Sequence, residues 1–313
     1  MAATPHAEIL VSTFNGAKFL NPFLDSILAQ THGSVSLRLR DDGSTDDSRE
    51  IVAARIPGAV IDDTSGVNIG PARSFLSLLE RADEDADVLL FGDQDDVWMP
   101  ERVARAVQHI DAVGDDTVPI LYCSQACVTD EDLRIVGMIP PADTAPSFGN
   151  ALIENVAIGC TIAMNQAARR LIASRPPAGH ILMHDWWCYL VVAALGKVVF
   201  DPHPTLLYRR HPGTYTKFEI GYMQNIFLRL LRGNGFDRLG DIRAQAHLFR
   251  ETFGDLLAPS QSALVAMIEA LGDFRALPAL LKSRDIIRRN RLDTFIFRMG
   301  AAMSVLRPPE AKR

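Results

Sequence analysis

Apolar positions in the first half of the chain switch between two spacings. Glu8 to Ser12 is a short apolar run closed by polar residues, which predicts a buried strand. Phe19, Leu20, Phe23, Leu24, Ile27 and Leu28 then fall in neighbouring pairs four apart, the stripe of an amphipathic helix. Pro22 is expected in the first turn of that helix, with Asn21 as its cap. Ser36 to Arg40 alternates as a strand does, Asp46 to Ala54 follows as a second helix, and Val60-Ile61 is a short strand. Pro71 opens a helix with Phe75, Leu76, Leu78 and Leu79 on its apolar side. Val88 to Phe91 is continuously apolar, as a central parallel strand is, and Pro100 starts the helix carrying Val103, Val107 and Ile110.

This alternation predicts an α/β chain with a doubly wound sheet, whose ligands sit beyond the carboxyl ends of the strands. From about 118 to 164 strands dominate: Ile120 to Cys123, then Ile158 to Met164, with Pro140 to Pro146 as a loop between them. His184 to Leu195 reads as a helix, and Lys197 to Phe200 and Thr205 to Tyr208 as strands. After 219 the pattern is helical, and no internal repeat is visible.

Composition changes this picture in one respect. With 313 residues, 48% hydrophobic and 22% charged, the chain is ordinary globular material, neither disordered nor a disulfide-stapled miniprotein. Its net charge of −6 gives no whole-molecule attraction to nucleic acid. That charge is split, however: −11 over residues 1–218 and +5 over 219–313, an acidic body and a basic tail. The four cysteines show no C-x-x-C pairing, and the chain does not start with a basic segment followed by an apolar one. They are expected to be reduced thiols of a cytoplasmic protein, needing no role. The longest apolar stretch, Tyr189 to Gly196, falls short of the roughly 20 residues that span a bilayer, so no integral membrane segment is expected.

Both acidic clusters of the first half fall at strand ends. Asp93, Asp95 and Asp96 follow a buried strand directly, and like charges ejected together repel unless a cation joins them. A hard divalent ion, Mg²⁺ or Mn²⁺, suits such oxygen ligands and commonly bridges them to phosphates, so a nucleoside diphosphate is implied. Asp41-Asp42-Gly43-Ser44-Thr45-Asp46 is the second cluster; alone it is common turn chemistry, but one carboxylate there could accept from a base N–H.

Further pieces share this order along the chain: Val11-Ser12-Thr13-Phe14-Asn15, Ser26-Ile27-Leu28-Ala29-Gln30-Thr31, Asn68-Ile69-Gly70-Pro71-Ala72-Arg73, His184-Asp185-Trp186-Trp187 and Tyr208-Arg209-Arg210-His211. Together, over residues 8–212, they resemble the family 2 inverting glycosyltransferases with the GT-A fold. The form D-Q-D-D-V-W, followed by H-D-W and Y-R-x-H, is most similar to the rhamnosyltransferase branch. The resemblance implies a GT-A catalytic domain over 1–218, with a nucleotide-sugar-binding half at about 1–117 and a mixed acceptor half at 118–218. A basic helical region over 219–313 would follow.

The resemblance also assigns roles. Asp93-x-Asp95 is similar to the family's D-x-D, with Asp95 as direct metal ligand, Asp93 on ribose or metal, and His211 as a further metal or diphosphate contact. Asp42 would accept the imide N–H of a uracil or thymine ring, and Phe14 would stack on that ring. Ser12, Thr13 and Gln94 would line the nucleotide-sugar pocket, and Arg73 would meet base or diphosphate. Asp185 resembles the general base, with a helix N-cap as its purely structural alternative. Trp186 and Trp187 would shape the acceptor pocket, with at least one of them in the core. Trp98 is expected to pack behind the metal loop.

The implied function is metal-assisted inverting transfer of a sugar from a dTDP- or UDP-sugar, best dTDP-L-rhamnose, to a bacterial surface glycan or lipid-linked glycan. The implied location is the cytoplasm, peripheral to the inner face of the plasma membrane. Two other classes stay open on the residues alone. A sugar-nucleotide-forming nucleotidyltransferase would want a Gly-rich basic loop where this chain has only Asn15-Gly16-Ala17-Lys18, and a non-catalytic nucleotide or glycan-binding module would not need Asp185. In the tail, 226–232, 282–291 and 295–299 mix apolar and basic residues, as helices do that pack on the body or lie on anionic lipid.

Overall fold

In the computed structural model, β1 (Ala7–Thr13) buries six of its seven residues at the centre of a parallel sheet. The structure describes residues 4–62, 66–139, 145–212 and 234–306. The stretch 226–232, the boundary at 218 and residues 140–144 of the expected loop lie outside the described residues.

Two compact units divide the chain. The first comprises Met1–Pro141, Ala157–Pro176 and Met183–Tyr215, and the second Ala142–Val156, Pro177–Leu182 and Thr216–Arg313. In the first, β1 pairs in parallel with β2 (Val35–Asp41) and with β4 (Val88–Asp93), and β3 (Val60–Asp62) joins β2. The crossovers are α1 (Ala17–Leu28), α2 (Ser48–Arg55) and α3 (Pro71–Arg81). Beyond β4 the sheet turns antiparallel through β8 (Ala163–Asn165) and continues to β6 (Ile120–Thr129), β9 (Lys197–Arg209) and β5 (Val97–Trp98), with β7 (Ile135–Met138) paired on β6. Helices α4 (Arg102–Asp111), α6 (Gln166–Ala173) and α7 (His184–Leu195) complete this unit.

Four expectations need correction. α1 starts five residues before Pro22, so Asn21 is not its cap. Its first N–H groups instead meet side chains from the β2–α2 loop: Gly16 donates to Ser48 Oγ (2.9 Å) and Ala17 to Asp46 Oδ2 (3.0 Å). Such acceptors, about thirty residues away, leave no local capping signal. Ile158 to Met164 holds a 3₁₀ turn at Gly159–Thr161 before the short β8. The two strands expected around Pro202 and Pro204 are one strand, β9, which bulges there; Ser124 pairs with Asp201 but Gln125 with Pro204. Asp185 is not an N-cap, because α7 begins at His184 with Met183 in that position.

The second unit is built by α5 (Phe148–Ala151), α8 (Asn234–Phe253), α9 (Pro259–Glu269), α10 (Leu277–Lys282) and α11 (Arg291–Leu306). Phe148, Phe249 and Phe253 stack in its core. Glu154, nearly buried, is held by Arg288 Nη2 (2.9 Å) and Arg289 Nε (3.1 Å), and these two cations keep its carboxyl below the usual range despite burial. Among the described residues no helix is long and apolar enough to cross a membrane.

At Gly43 the chain turns with φ +87°, and a Cβ there would stand 2.6 Å from the Gly66 carbonyl oxygen. Gly43→Ala is therefore expected to cost about 1–3 kcal/mol, read as a lowered urea midpoint with unchanged slope. An unchanged midpoint would mean that the β2–α2 turn has room to relax.

Candidate active site

The parallel register of β1, β2 and β4 sets Ser12 beside Asp93 and Thr13 beside Asp41. Three loops therefore leave the sheet side by side at its carboxyl edge, as expected of a doubly wound fold. They are tied to one another by side chains that bond backbone. Gln94 accepts from the Thr13 hydroxyl and from the Phe14 N–H (3.0 Å), and its Nε2 donates to the Phe14 carbonyl (3.1 Å). A Cβ at Gly16 would collide with the same Gln94 amide, at 2.1 Å. In this arrangement Gln94 is the clamp on the β1–α1 loop.

Asp42 is similarly engaged. It pairs with Arg40, and its Oδ1 and Oδ2 accept the N–H groups of Ile69 and Gly70, both at 2.9 Å. Arg40 reaches on to Ser74 Oγ (3.2 Å), which lies 2.6 Å from Ser12 Oγ. The carboxylate thus fixes the 67–70 loop and the start of α3. Phe14 is 46% exposed at this edge, and Arg73 is exposed on the first turn of α3.

The acid cluster after β4 separates into two parts. Asp95 turns to His211, whose Nε2 lies 2.8 Å from Asp95 Oδ2 and whose ring packs on Phe19 at 4.4 Å. Asp93 and Asp96 instead converge with Cys160, with one ligand atom of each within 4.8 Å of the others. Asp96 is buried, and its Oδ1 accepts the Arg209 N–H (3.0 Å). Burial, then the charges of Asp95 and Asp185, push the Asp93 carboxyl up to about 7. Burial and its neighbours Asp95 and Asp93 push Asp96 well up too. These carboxyls and the thiol make a donor set that a divalent cation would relieve.

Behind the cluster, fully buried, stands Arg102. Its guanidinium lies over the Trp98 ring at 4.1 Å, donates to Thr205 Oγ1 (3.1 Å) and to the Phe91 carbonyl (3.3 Å), and feels the charges of Asp96 and Asp93. Burial lowers its pKa only to about 10, so it remains a cation. Trp98 packs edge-on against Phe23, in the role expected of it.

Asp185 sits in the first turn of α7, where a helix favours negative charge. Its Oδ2 accepts the Gly159 N–H (2.9 Å) and its Oδ1 the Trp186 N–H (2.6 Å). Gly159 adjoins Cys160, so this bond sets Asp185 beside the Asp93–Asp96–Cys160 cluster. His184 is no candidate base. It stacks on Phe75 at 4.1 Å, burial lowers its pKa to about 3, and neither ring nitrogen has a hydrogen-bond partner among the described residues. Trp187 is wholly buried and Trp186 nearly so.

Three residues here escape sequence reasoning. Asp96 reads as one of three equal acids, and only the Arg209 N–H sets it apart. Arg102 lies among the apolar positions of α4 with nothing to mark it as buried. The four cysteines are buried free thiols, but Cys160 does have a place beside the acids, which no spacing signals.

Comparison with known proteins gives a consistent result. The family model described as glycosyl transferase family 2 matches residues 8–169. An uncharacterized glycosyltransferase from Nostoc sp. is 34% identical over 103 residues, 32% of this chain and 31% of the relative, so the match spans about a third of that protein's length. The dTDP-rhamnosyl transferase RfbG of Shigella flexneri is 23% identical over 229 residues, 68% of this chain and 75% of RfbG. Among solved structures, S. aureus TarS 1–349 in complex with UDP superposes with a TM-score of 0.56 at 15% identity, covering 96% of this chain and 87% of that one. The TarS 1–349 complex with UDP-GlcNAc gives 0.53 at 15% identity, covering 96% and 92%. At that identity the likeness is one of fold, and the fold is GT-A.

The raised Asp93 carboxyl has a measurable consequence. Between pH 3.8, its ordinary value, and about 7, the folded chain holds a proton that the unfolded chain releases. That contribution is complete at low pH and is lost as pH rises through this window. In metal-free protein, Asp93→Asn should flatten the fall in melting temperature from pH 5 to 8, and Mn²⁺ should raise the wild-type melting temperature mainly at the upper end. A variant that keeps the wild-type slope would place the titration elsewhere.

Proposed function

The chain belongs to glycosyl transferase family 2, and from that premise we propose that it inverts the anomeric centre of L-rhamnose while moving it from dTDP-L-rhamnose to a bacterial surface glycan, free or lipid-linked. The observation that carries the reading is geometric: Asp185 Oδ2 accepts the N–H of Gly159 (2.9 Å), the neighbour of Cys160, whose Sγ lies within 4.8 Å of ligand atoms of Asp93 and Asp96. The sugar and base rest on the similarity to RfbG together with the D-Q-D-D-V-W, H-D-W and Y-R-x-H forms. The work is done within residues 1–218, with donor binding by about 1–117 and acceptor binding by 118–218, on the cytoplasmic side of the plasma membrane.

In this reading Asp93 and Asp95 would hold Mn²⁺ or Mg²⁺, with His211 beside Asp95 as a further contact to the metal or diphosphate and Asp96 close to Asp93. The ion, when bound, supplies Lewis-acid stabilisation of the departing diphosphate. Phe14 stacks on the thymine, Arg73 meets the diphosphate, and Ser12 and Thr13 line the pocket with Gln94 fixing their loop. Asp42 Oδ2 accepts one backbone bond, which leaves it a lone pair for the imide N–H. Trp187 shapes the acceptor side from within the core, and Trp186 stands nearer its surface. Asp185 takes the proton of the acceptor hydroxyl as that oxygen bonds the anomeric carbon and the diphosphate oxygen leaves. The Gly159 and Trp186 N–H groups orient the carboxylate for this step.

The experiment is to follow dTDP release from dTDP-L-rhamnose with Mn²⁺, against a panel of other nucleotide sugars and against pyrophosphate release from nucleoside triphosphate plus sugar phosphate. Asp185→Asn should lower transfer by about 10²–10⁴-fold with donor affinity nearly unchanged. It should also lose about 1 kcal/mol of stability, because one carboxamide end must face an N–H it cannot accept. Asp95→Ala should remove the metal dependence of dTDP binding by calorimetry. Transfer by the Asn variant within a few-fold of wild type would move the base elsewhere.

A further inference from the structure

Helix α11 has two apolar faces. The inner one carries Phe297 and Ala301, both buried. The outer one carries Leu292 (42% exposed), Phe295 (61%), Met299 (43%) and Met303 (43%), spaced as one stripe of the helix. No charged residue interrupts this stripe. Within the helix, Asp293 is buried against Asn290, and Arg298 turns back to the carbonyls of Ser283 (2.5 Å) and Ile286 (3.5 Å). Those bonds set the 283–286 segment beside α11. Lys282 and Arg284 on or next to that segment and Arg291 at the start of α11 are all exposed, three cations against the one exposed acid Asp285. Leu281 and Phe274 of the same unit are exposed as well.

A water-facing row of four large apolar side chains is unfavourable for a chain alone. Its charge identifies what covers it. Residues 219–313 carry a net +5 against −11 for the remainder, so cations are concentrated in the region bearing the stripe. A second copy of the same face would bring like charges together. An anionic bilayer supplies what both features need, an apolar layer about one side chain deep under negatively charged headgroups.

We propose that the outer face of α11 docks the protein on an anionic lipid surface, with Leu292, Phe295, Met299 and Met303 entering the headgroup–acyl boundary and Lys282, Arg284 and Arg291 meeting the headgroups. This deepens the functional reading by naming how a lipid-linked acceptor would be met, and rests on it only for that acceptor.

The test uses the full-length protein and no sugar donor, so it fails independently of the transferase assignment. Flotation is measured with vesicles of phosphatidylcholine alone and of phosphatidylcholine with phosphatidylglycerol. Binding is expected to the mixed vesicles only and should fall at high salt, since exposed attraction is screened. Phe295→Glu with Met299→Glu should weaken it at least about tenfold while the melting temperature holds, because both side chains face water. Lys282→Ala with Arg284→Ala and Arg291→Ala should weaken it and remove the salt dependence. Absence of binding by wild type, or binding unchanged by the Glu pair, would overturn the proposal. So would a Glu pair that melts markedly lower, which would make the stripe a packing face of the chain itself. A concentration-dependent dimer that the Glu pair dissolves without lipid would assign the face to a second copy.

Discussion

Asp93, Asp95 and Asp96 leave the end of one buried strand within reach of each other, and like charges held out of water repel. Much of the first unit answers that repulsion. Asp95 is drawn aside to His211, Asp96 takes the Arg209 N–H, and Arg102 keeps a permanent cation behind Asp93 and Asp96. The compensation is partial: Asp93 is still raised to about 7, and Asp96 is raised well above the ordinary carboxylate range. The same acids thus set how stability depends on pH and form the cluster whose repulsion a cation would relieve.

A second constraint is the rigidity of loops with no regular structure. Each loop at the carboxyl edge is held by a side chain from another element that bonds its backbone. Gln94 holds residues 13 and 14, Asp42 holds 69 and 70, and Asp185 holds Gly159. Buried backbone groups must be paired, so these bonds also remove the freedom of the loops to rearrange. The carboxylates and amide that sequence patterns nominate for ligands are thus first of all internal acceptors. Any ligand contact they make uses the capacity that remains. This explains how one short motif can be both structural and chemical, and why deleting its side chains should change folding as well as affinity.

The second unit follows a different logic. Its anchor is Glu154, a buried acid paired with two arginines and with the Arg289 N–H. Removing Glu154 would leave both arginines without their acid, whereas removing one arginine leaves the other to pair it. With Arg288 and Arg289 turned inward, the exposed cations among the described residues include Arg243, Arg250 and Arg275 as well as Lys282, Arg284 and Arg291 near α11. The tail is therefore basic for two reasons, one internal and one facing solvent, which a net charge alone does not distinguish.

Sequence alone determined the periodic elements and their order. Strands and helices read from the spacing of apolar residues recur at β1, α1, β2, α3, β4 and α7, because burial of one face dictates a period of two or 3.6 wherever the core is. It also determined that Asp93, Asp95 and Asp42 lie where apolar runs stop and Asp185 where one begins. Where non-local partners decide, the sequence was silent. The start of α1 depends on Ser48 and Asp46, the continuity of β9 through Pro202 and Pro204 on its pairing with β6, and the burial of Arg102 on the ring of Trp98 and the carbonyl of Phe91. Cys160 and Asp96 are brought together only by folding, and His184 and Asp185, neighbours in sequence, are separated by it into an apolar pocket and a charged cleft. A period is a property of consecutive residues and survives in one dimension. A hydrogen bond or a repulsion between residues thirty to one hundred positions apart exists only once the sheet has set their distance.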